Sequence, residues 1–296
     1  MEYLKTENVD ARSKYRVIID NIAKGITFLA TLFGVTMLAI LLIRIITEGI
    51  TVIDLEFLTN RLSTDPERAG IMGAILGTLW LIIVVAPVTM FFGIFTAIYI
   101  ELYMKDGKLK SLLSTNISNL AGVPSIVYGI LGLTVFVRGM QLGNVVLAGG
   151  LTLALLILPI TIVTTQEALR AIPSDLTEAA YGIGATKWQS IRTVVLPAAL
   201  PTILTGFILA MSRAIGETAP LVVIGIPTLL IPFPGSIFDK FTVLPMQIYY
   251  WTMDSVLVAE YASLAAGTII VLLFVLLLFN LTAVLIRRKF EKNLLK

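Results

Sequence analysis

The hydrophobic positions of this 296-residue chain fall into long uncharged stretches separated by short polar segments. Stretches without Asp, Glu, Lys or Arg run over 25–43, 69–100, 111–137, 139–166, 193–212, 218–238 and 261–286. Since a helix crosses hydrocarbon in about 20 residues, all seven are candidate spans. The segment after Glu217 contains Pro220, Pro227, Pro232 and Pro234. Because proline interrupts backbone hydrogen bonding, this segment cannot hold a continuous helix in lipid, and six spans remain.

The pattern therefore predicts an all-α polytopic membrane protein with six transmembrane helices. We expect these helices over 25–47, 71–101, 112–137, 146–167, 191–225 and 262–287. The first is expected to be an uncleaved span, because it follows a charged tail of 24 residues and lacks a small-residue cleavage pattern. Composition agrees, since 57% of the residues are hydrophobic and 14% are charged, against about 25% charged in soluble domains.

Cysteine and histidine are both absent from the chain. This excludes disulfides, thiolate metal sites and catalysis by imidazole. The sequence accordingly offers no catalytic residue and no metal ligand of these two types.

The placement of positive charge predicts the topology, because Lys and Arg concentrate in cytoplasmic loops. With six spans and an inner N-terminus, sixteen of the 22 Lys and Arg residues lie on the inner side and four on the outer side. Both termini are thus expected in the cytoplasm of a cell that carries the chain in its plasma or inner membrane. The net charge of +3 reflects this topology, and nothing favours binding to nucleic acid.

This topology divides the chain into three parts. We expect a cytoplasmic N-terminal tail over 1–24, a transmembrane domain over 25–287 and a cytoplasmic basic tail over 288–296. The outer loops are predicted at 48–70 and 226–261. The first is acidic and polar, as in a solvated connector. The second is rich in aromatic residues, which favours either anchoring at the membrane interface or docking of an external partner.

The third predicted span is interrupted by glycine and proline between Ala121 and Gly132. Two interpretations remain open. Small residues allow helices to pack closely, whereas a break in the helix is tolerated where the freed backbone lines a water-filled path.

A polar segment over 173–197 separates the fourth and fifth spans and is typical of a helix-turn-helix hairpin. Pro173 ends the preceding helix, and we expect Ser174 to cap the next one with Asp175 in its first turn. Gly182 and Gly184 are expected to stop that helix.

The rest of the hairpin follows from two local patterns. Leu176, Ala179, Ala180 and Ile183 recur at helical spacing and predict an apolar face. Thr186 followed by Gln189 predicts a capping box that starts a second short helix. An amphipathic hairpin of this kind can be an interfacial anchor or a lever seated in a cytoplasmic partner.

The residue types and spacing in this hairpin resemble the EAA loop of bacterial ABC importer permeases. The matching residues are Glu178, Ala179, Ala180, Gly184, Leu196 and Pro197. The resemblance implies a type I ABC importer permease fold in which 173–190 form a coupling helix that docks on an ATP-hydrolysing subunit. The chain contains no G-x-x-x-x-G-K-[ST] segment to cradle ATP phosphates. The chain itself is therefore expected to bind no cofactor, with ATP and Mg used by the partner ATPase.

Arg213 and Glu217 are the only charges between Arg192 and Asp239. A charge at the centre of an inserted helix costs about 2.5 to 3.5 kcal/mol, so each needs compensation. Their i, i+4 spacing permits a structural ion pair. Alternatively, Arg213 faces a translocation path and binds an oxyanion through its guanidinium fork. Glu217 would then hold Arg213 when the path is empty and could accept a hydrogen bond from a protonated anion.

A wider resemblance, over roughly residues 70 to 292, points to phosphate ABC importer permeases of the PstA type. It is carried by the segments 122–129, 213–221, 244–251, 280–283 and 287–290. It implies a heterodimer with a sister permease, two copies of a cytoplasmic ATPase, an external phosphate-binding protein and surrounding lipid. Candidate path residues are Arg213 first, then Glu217, with Ser125, Tyr128 and Thr218 as hydrogen-bonding groups.

Three alternatives are kept. The cargo could be another oxyanion, such as molybdate or sulfate, since the EAA loop is common to many importers. The chain could be an ion-coupled secondary transporter, although the charge-free second, third and fourth spans offer no buried carboxylates for it. It could also be a membrane sensor or scaffold.

Overall fold

The computed structural model describes residues 6–227 and 232–294, with side chains over 15–227 and 232–289. Parts of three predicted segments lie outside it: residues 1–5 of the N-terminal tail, 228–231 of the second outer loop and 295–296 of the basic tail. The chain up to Glu48 forms one compact unit, and the chain from Gly49 forms a second.

The described chain is almost entirely helical. The α-helices are α1 Thr6–Gly49, α2 Leu55–Thr59, α3 Met72–Ile98, α4 Lys108–Ala121, α5 Ser125–Gly132, α6 Val146–Arg170, α7 Ser174–Gly182, α8 Lys187–Ser190, α9 Leu196–Gly216, α10 Ala219–Ile224, α11 Leu244–Asp254 and α12 Glu260–Leu294. A 3-10 turn lies at Pro66–Arg68, and π-helical turns lie at Tyr99–Tyr103, Leu133–Gly139 and Ile191–Val195.

Within the described residues, five continuous helical segments are long and apolar enough to cross a membrane. They are Tyr15–Gly49, Met72–Tyr103, Val146–Arg170, Lys187–Gly216 and Glu260–Lys289. A sixth crossing requires the pair Lys108–Ala121 and Ser125–Gly139, which is bent by 99°. The predicted count of six thus holds when the bent pair is taken as one span.

Helix α1 begins at Thr6, well before the predicted residue 25. No glycine or proline lies between Thr6 and Lys24, so nothing in this part of the sequence stops a helix. The prediction followed the boundary between charged and apolar residues, which marks an apolar stretch and not a helix end.

The third span is broken, so the predicted continuous helix over 112–137 is wrong. Pro124 follows the end of α4 and precedes Ser125, the first residue of α5. A proline ring clashes with the carbonyl four residues earlier, here that of Leu120. That carbonyl instead accepts hydrogen bonds from the Val123 backbone at 3.1 Å and from the Tyr128 hydroxyl at 2.8 Å.

The fifth span also ends earlier than predicted, because α9 stops at Gly216 and α10 spans only Ala219–Ile224. The same clash explains it, since the carbonyl four residues before Pro220 belongs to Gly216. Close packing accompanies both breaks. A Cβ added to Gly129 in α5 would lie 2.8 Å from the Pro220 Cα in α10. The two interrupted spans therefore meet where each is broken.

A strap over 235–243, with a turn at Ser236–Asp239, covers the start of α6. The Ile237 carbonyl accepts from the Leu147 backbone at 2.8 Å, and the Asp239 carbonyl accepts from Val146 at 3.1 Å. These amides belong to the first turn of α6 and have no partner within the helix. The strap thus supplies the cap that the side chains of this turn do not provide.

The strap changes the interpretation of the aromatic outer segment. Phe241 is fully buried and Trp251 is 2% exposed, so both are core residues and not part of an interfacial belt. Phe238 and Tyr249 remain exposed. A hydrophobic residue has the same local sequence pattern whether lipid or protein covers it, which is why the sequence did not separate the two groups.

Glycines make room for the strap on the helices beneath. A Cβ at Gly149 would lie 2.6 Å from the Phe241 ring, and a Cβ at Gly77 would overlap the Thr242 carbonyl oxygen. The Thr78 hydroxyl accepts a buried hydrogen bond from the Leu244 backbone at 3.1 Å. Segment 241–244 therefore lies directly on α3.

Replacing Gly77 with Ala is expected to lower the melting temperature of the protein in detergent. The added methyl must displace backbone at Thr242, and overpacking of this kind costs about 1 to 3 kcal/mol. Thermal unfolding followed by tryptophan fluorescence measures the change. Gly34→Ala is the matched control, because nothing lies within 4 Å of its Cβ position. Equal melting of G77A and the parent would contradict the proposed contact.

Candidate coupling and transport site

The hairpin between α6 and α9 consists of α7, a turn over 183–186 and α8. The predicted capping box is confirmed. Thr186 Oγ1 accepts from the Gln189 backbone at 3.3 Å, and Gln189 Oε1 accepts from the Thr186 backbone at 2.8 Å. Two otherwise free amide groups are satisfied reciprocally, which fixes the direction in which α8 leaves the turn.

The start of α7 differs from the prediction. Pro173 occupies the N-cap position and Ser174 is the first helical residue, so the expectation that Ser174 caps the helix is wrong. The fixed φ of proline already directs the chain into the helix. Asp175 does lie in the first turn, as predicted.

The turn of the hairpin depends on Gly184. Helix α7 ends at Gly182, and Gly184 adopts a φ of +85° in the left-handed region. Its amide donates to the Tyr181 carbonyl at 2.9 Å, and the Ala185 amide donates to the Ala180 carbonyl at 3.1 Å. These bonds satisfy carbonyls at the end of α7. Both glycines therefore end the helix as predicted, and Gly184 does so through its backbone conformation.

Much of the hairpin's apolar surface is exposed. Ile183 is 88% exposed, and Leu176, Tyr181 and Trp188 are each more than two-fifths exposed. Glu178 and Ala179 are also exposed, whereas Ala180 is buried. The predicted apolar face is therefore only partly packed against this chain. Such a mixture of exposed aromatic, aliphatic and charged side chains is suited to contact with another surface.

The hairpin joins α9 through the π-helical turn Ile191–Val195. Leu196 opens α9, and Pro197 is its second residue, inside the continuous helical segment Lys187–Gly216. Ile191 and Val195 are buried against α3 and α6 residues, including Ala97 and Ile162. The outgoing arm of the hairpin is thus continuous with the core.

Arg213 and Glu217 form an ion pair at the point where α9 is broken. Arg213 Nε lies 3.3 Å from Glu217 Oε1, and their side chains are 44% and 18% exposed. Glu217 is the residue that follows α9, with φ −76° and ψ 128°. The ion pair that the i, i+4 spacing permits therefore forms, even though the helix does not continue. The exposed guanidinium still has donors to offer a ligand.

The other path candidates lie at the same two breaks. Ser125 begins α5 and Thr218 precedes α10, and both are partly buried. Tyr128 is 5% exposed and its hydroxyl donates to the Leu120 carbonyl. Because this hydrogen bond uses the hydroxyl proton, Tyr128 could meet a ligand only as an acceptor.

A cleft adjoins Glu217 between α3, α6 and α9. Its lining is apolar apart from Glu217 and Thr78, and it includes Leu81, Leu153 and Met211. The Thr78 hydroxyl donates its proton to the Ala74 carbonyl at 2.8 Å. Glu217 is thus the charged group of this lining, while Arg213 is not part of it.

Sequence reasoning missed a second charged cluster at the hairpin end of the bundle. Arg170 donates to both carboxylate oxygens of Glu101 at 2.9 Å, and Lys110 Nζ lies 3.9 Å from Glu101 Oε1. The signal in the sequence was weak: Glu101 and Arg170 each lie just after a long apolar stretch, at the same predicted side of the membrane. Their separation of 69 residues hides the pairing from any local pattern.

Membrane-length helices interrupted by an exposed, capped hairpin define the chain as a polytopic membrane protein. It belongs to the family of binding-protein-dependent transport system inner membrane components, which it matches over residues 89–291. The resemblance to ABC importer permeases is thereby confirmed. The family also confirms a multi-pass membrane protein.

The chain is similar in sequence to individual relatives over most of their length. The chain is 29% identical over 280 residues to the probable ABC transporter permease protein YqgI of Bacillus subtilis strain 168, covering 90% of this chain and 95% of that protein. It is 33% identical over 277 residues to the phosphate transport system permease protein PstA of Yersinia pestis, covering 91% and 90%.

A solved structure gives the same fold. The similarity is to a chain of a bacterial alginate ABC transporter in complex with an alginate pentasaccharide-bound periplasmic protein. The TM-score is 0.58 at 18% identity, covering 95% of this chain and 96% of that chain. The predicted fold of ABC importer permeases is confirmed.

Proposed function

We propose that the chain is the permease subunit of an ATP-driven ABC importer for inorganic phosphate and forms half of its translocation path. The observation that carries this proposal is the exposed Arg213 guanidinium at the broken end of α9, in a chain 33% identical to a phosphate permease. A guanidinium fork matches two oxygens of a tetrahedral oxyanion. Ser125 and Thr218 add hydroxyl donors, and Tyr128 adds an acceptor, at the adjoining breaks.

ATP hydrolysis belongs to a partner in this proposal, and the chain is a non-catalytic pore subunit. The hairpin residues Glu178, Ala179, Ala180 and Gly184, followed by Leu196 and Pro197, couple it to that ATPase. Support comes from the exposed apolar side chains of the hairpin, which leave a surface for a groove on another protein. ATP and Mg are bound by that partner.

The remaining partners follow from the same proposal. A sister permease completes the pore, two ATPase copies bind the two coupling hairpins, and an external phosphate-binding protein delivers the cargo. The related alginate transporter, which is solved with a periplasmic binding protein, supports this arrangement. The excess of Lys and Arg on one predicted side supports cytoplasmic termini, with 1–24 and 288–296 as cytoplasmic tails around the permease domain 25–287.

An uptake assay against a panel of oxyanions tests the cargo. The complete transporter is reconstituted in liposomes with its cognate binding protein, and uptake of phosphate, sulfate and molybdate is compared. We expect phosphate uptake to exceed the others by at least about 100-fold, the discrimination that matched polar groups can supply. A preference for sulfate or molybdate would overturn phosphate as cargo while leaving the importer mechanism intact.

Glu217→Gln is expected to weaken discrimination against sulfate. At neutral pH phosphate still carries a proton that the Glu217 carboxylate can accept in a hydrogen bond, whereas sulfate has none and meets only repulsion. Removing the charge should therefore raise sulfate uptake relative to phosphate by about tenfold. Glu56→Gln, an exposed carboxylate in α2, is the control. An unchanged ratio in E217Q would remove Glu217 from the path.

A further inference from the structure

One π-helical turn, Tyr99–Tyr103 at the end of α3, contacts the chain on both sides of α7. It contacts Arg170 at the end of α6 and Lys187 at the start of α8. We infer that this turn is a clamp that positions the hairpin on α3, so that a displacement of the hairpin is passed to the span beginning at Met72. This inference rests on the proposed coupling function, because it names the residues that transmit the movement. Glu101 and Tyr103 are positioning residues in it and contact no substrate.

The first contact holds the end of α6, which leads into the hairpin. Arg170 ends α6, three residues before Pro173, and its Nε and Nη2 donate to the two oxygens of Glu101 at 2.9 Å each. The Glu101 side chain is only 13% exposed. Two parallel hydrogen bonds from one guanidinium to one carboxylate fix the relative orientation of the two groups as well as their distance. Exposed ion pairs contribute little, but this carboxylate is largely shielded from water.

Lys110 ties a third element to the same turn. Its Nζ lies 3.9 Å from Glu101 Oε1 and donates to the Glu101 carbonyl at 3.5 Å. It also donates to Asp106 at 2.9 Å, and its side chain is 16% exposed. The first turn of α4 is therefore held with the ends of α3 and α6.

The second contact holds the start of α8, which is the second helix of the hairpin. Lys187 is the first residue of α8, and its Nζ lies 4.8 Å from the centre of the Tyr103 ring. This distance is within the range of a cation–π interaction. Tyr103 is two residues from Glu101, so one turn contacts both the end of α6 and the start of α8.

The π-helical geometry makes this turn a defined local feature. The Met104 amide donates to the Tyr99 carbonyl at 2.9 Å, five residues back. Such wider turns are rare and occur preferentially at functional sites. Since α3 continues from this turn into the core shared with α6 and α9, a clamped hairpin cannot tilt without moving these helices.

The first test separates uptake from hydrolysis in the complete reconstituted transporter. We expect Glu101→Gln and Arg170→Lys to reduce uptake of inorganic phosphate about tenfold, a typical size for a lost coupling interaction. ATP hydrolysis stimulated by the phosphate-loaded binding protein should stay within about twofold, because the docking surface is unchanged. Glu56→Gln is the matched control.

Three further variants test the two contacts of this turn directly. Exchanging the charges, with Glu101→Arg and Arg170→Glu, should restore uptake. This exchange is built on a Lys110→Gln background, because Lys110 would otherwise repel the new arginine. Tyr103→Phe, which keeps the ring, should retain uptake, whereas Tyr103→Leu should lower it.

A distance measurement tests the clamp independently of any substrate. The chain has no cysteine, so spin labels can be attached at Phe92→Cys on α3 and Thr177→Cys on α7 without background. We expect a narrow distance distribution in the parent and a broadened one after Glu101→Gln.

Three outcomes decide the matter. An unchanged ratio of uptake to hydrolysis in both E101Q and R170K overturns the clamp, and so does loss of the ATPase from the purified complex, which would make the bridge an assembly contact. If the parent transporter takes up no phosphate, the proposed function fails. In that case the spin-label distances still test the clamp, because they need no substrate. A distribution broadened by Glu101→Gln supports the clamp, and an unchanged distribution overturns it.

Discussion

Arg213→Ala is expected to abolish uptake of inorganic phosphate while the transporter still assembles. The Arg213 side chain is 44% exposed, so its removal opens no cavity in the core. Losing a charged partner of a bound anion costs about 2 to 5 kcal/mol, which corresponds to at least about 30-fold in uptake. Radiolabelled phosphate uptake in proteoliposomes measures the loss, and co-purification of the ATPase reports assembly.

Two variants sharpen this result. Arg213→Lys keeps the charge but not the fork, so it should retain only a small part of the uptake. Arg68→Ala removes an exposed arginine that pairs loosely with Asp65 and should leave uptake unchanged. Normal uptake by R213A would mean that the pair with Glu217 only neutralises two charges.

Gly184→Val is expected to uncouple the chain from its ATPase. Gly184 has a φ of +85°, which a β-branched residue adopts only with strain. Nothing lies within 4 Å of its Cβ position, so the effect would come from the backbone and not from a clash. The turn should reshape, with loss of at least about tenfold in stimulated ATP hydrolysis, a size typical of lost coupling.

Gly182→Ala is the matched control for this prediction. Gly182 ends α7 in a helical conformation, and its Cβ position is equally open. Alanine is a better helix former than glycine, so this variant should keep hydrolysis at the parent level. Glu178→Lys, on the exposed face of the same helix, should weaken docking as G184V does. Full hydrolysis in both G184V and E178K would falsify the coupling role of the hairpin.

Features that depend on neighbouring residues could be predicted from the sequence. The capping box of Thr186 and Gln189 needs only the chain between them, and it forms as expected. The Arg213–Glu217 pair also forms, because α9 continues to Gly216 and leaves Glu217 one helical turn beyond Arg213. The end of α9 at Gly216 is also a local effect, because Pro220 blocks the carbonyl four residues before it.

Features that depend on distant contacts could not be predicted. The Glu101–Arg170 bridge joins residues 69 apart, and nothing near either residue identifies the other. Burial of Phe241 depends on Gly77 and Gly149, which lie on two other helices. An apolar pattern indicates that a residue avoids water but not whether lipid or protein replaces it.

The end of α9 beside Arg213 also affects how tightly Glu217 holds its partner. The last carbonyls of a helix carry the negative end of its dipole, and Arg213 lies in the last turn of this 21-residue helix. The guanidinium is therefore stabilised by two sources, the carboxylate and the backbone. In the proposed transport path, an anion would replace Glu217 at Arg213 while the backbone field persists. Exchange of one negative partner for the other would then never leave the cation uncompensated, which would lower the barrier to loading and to release.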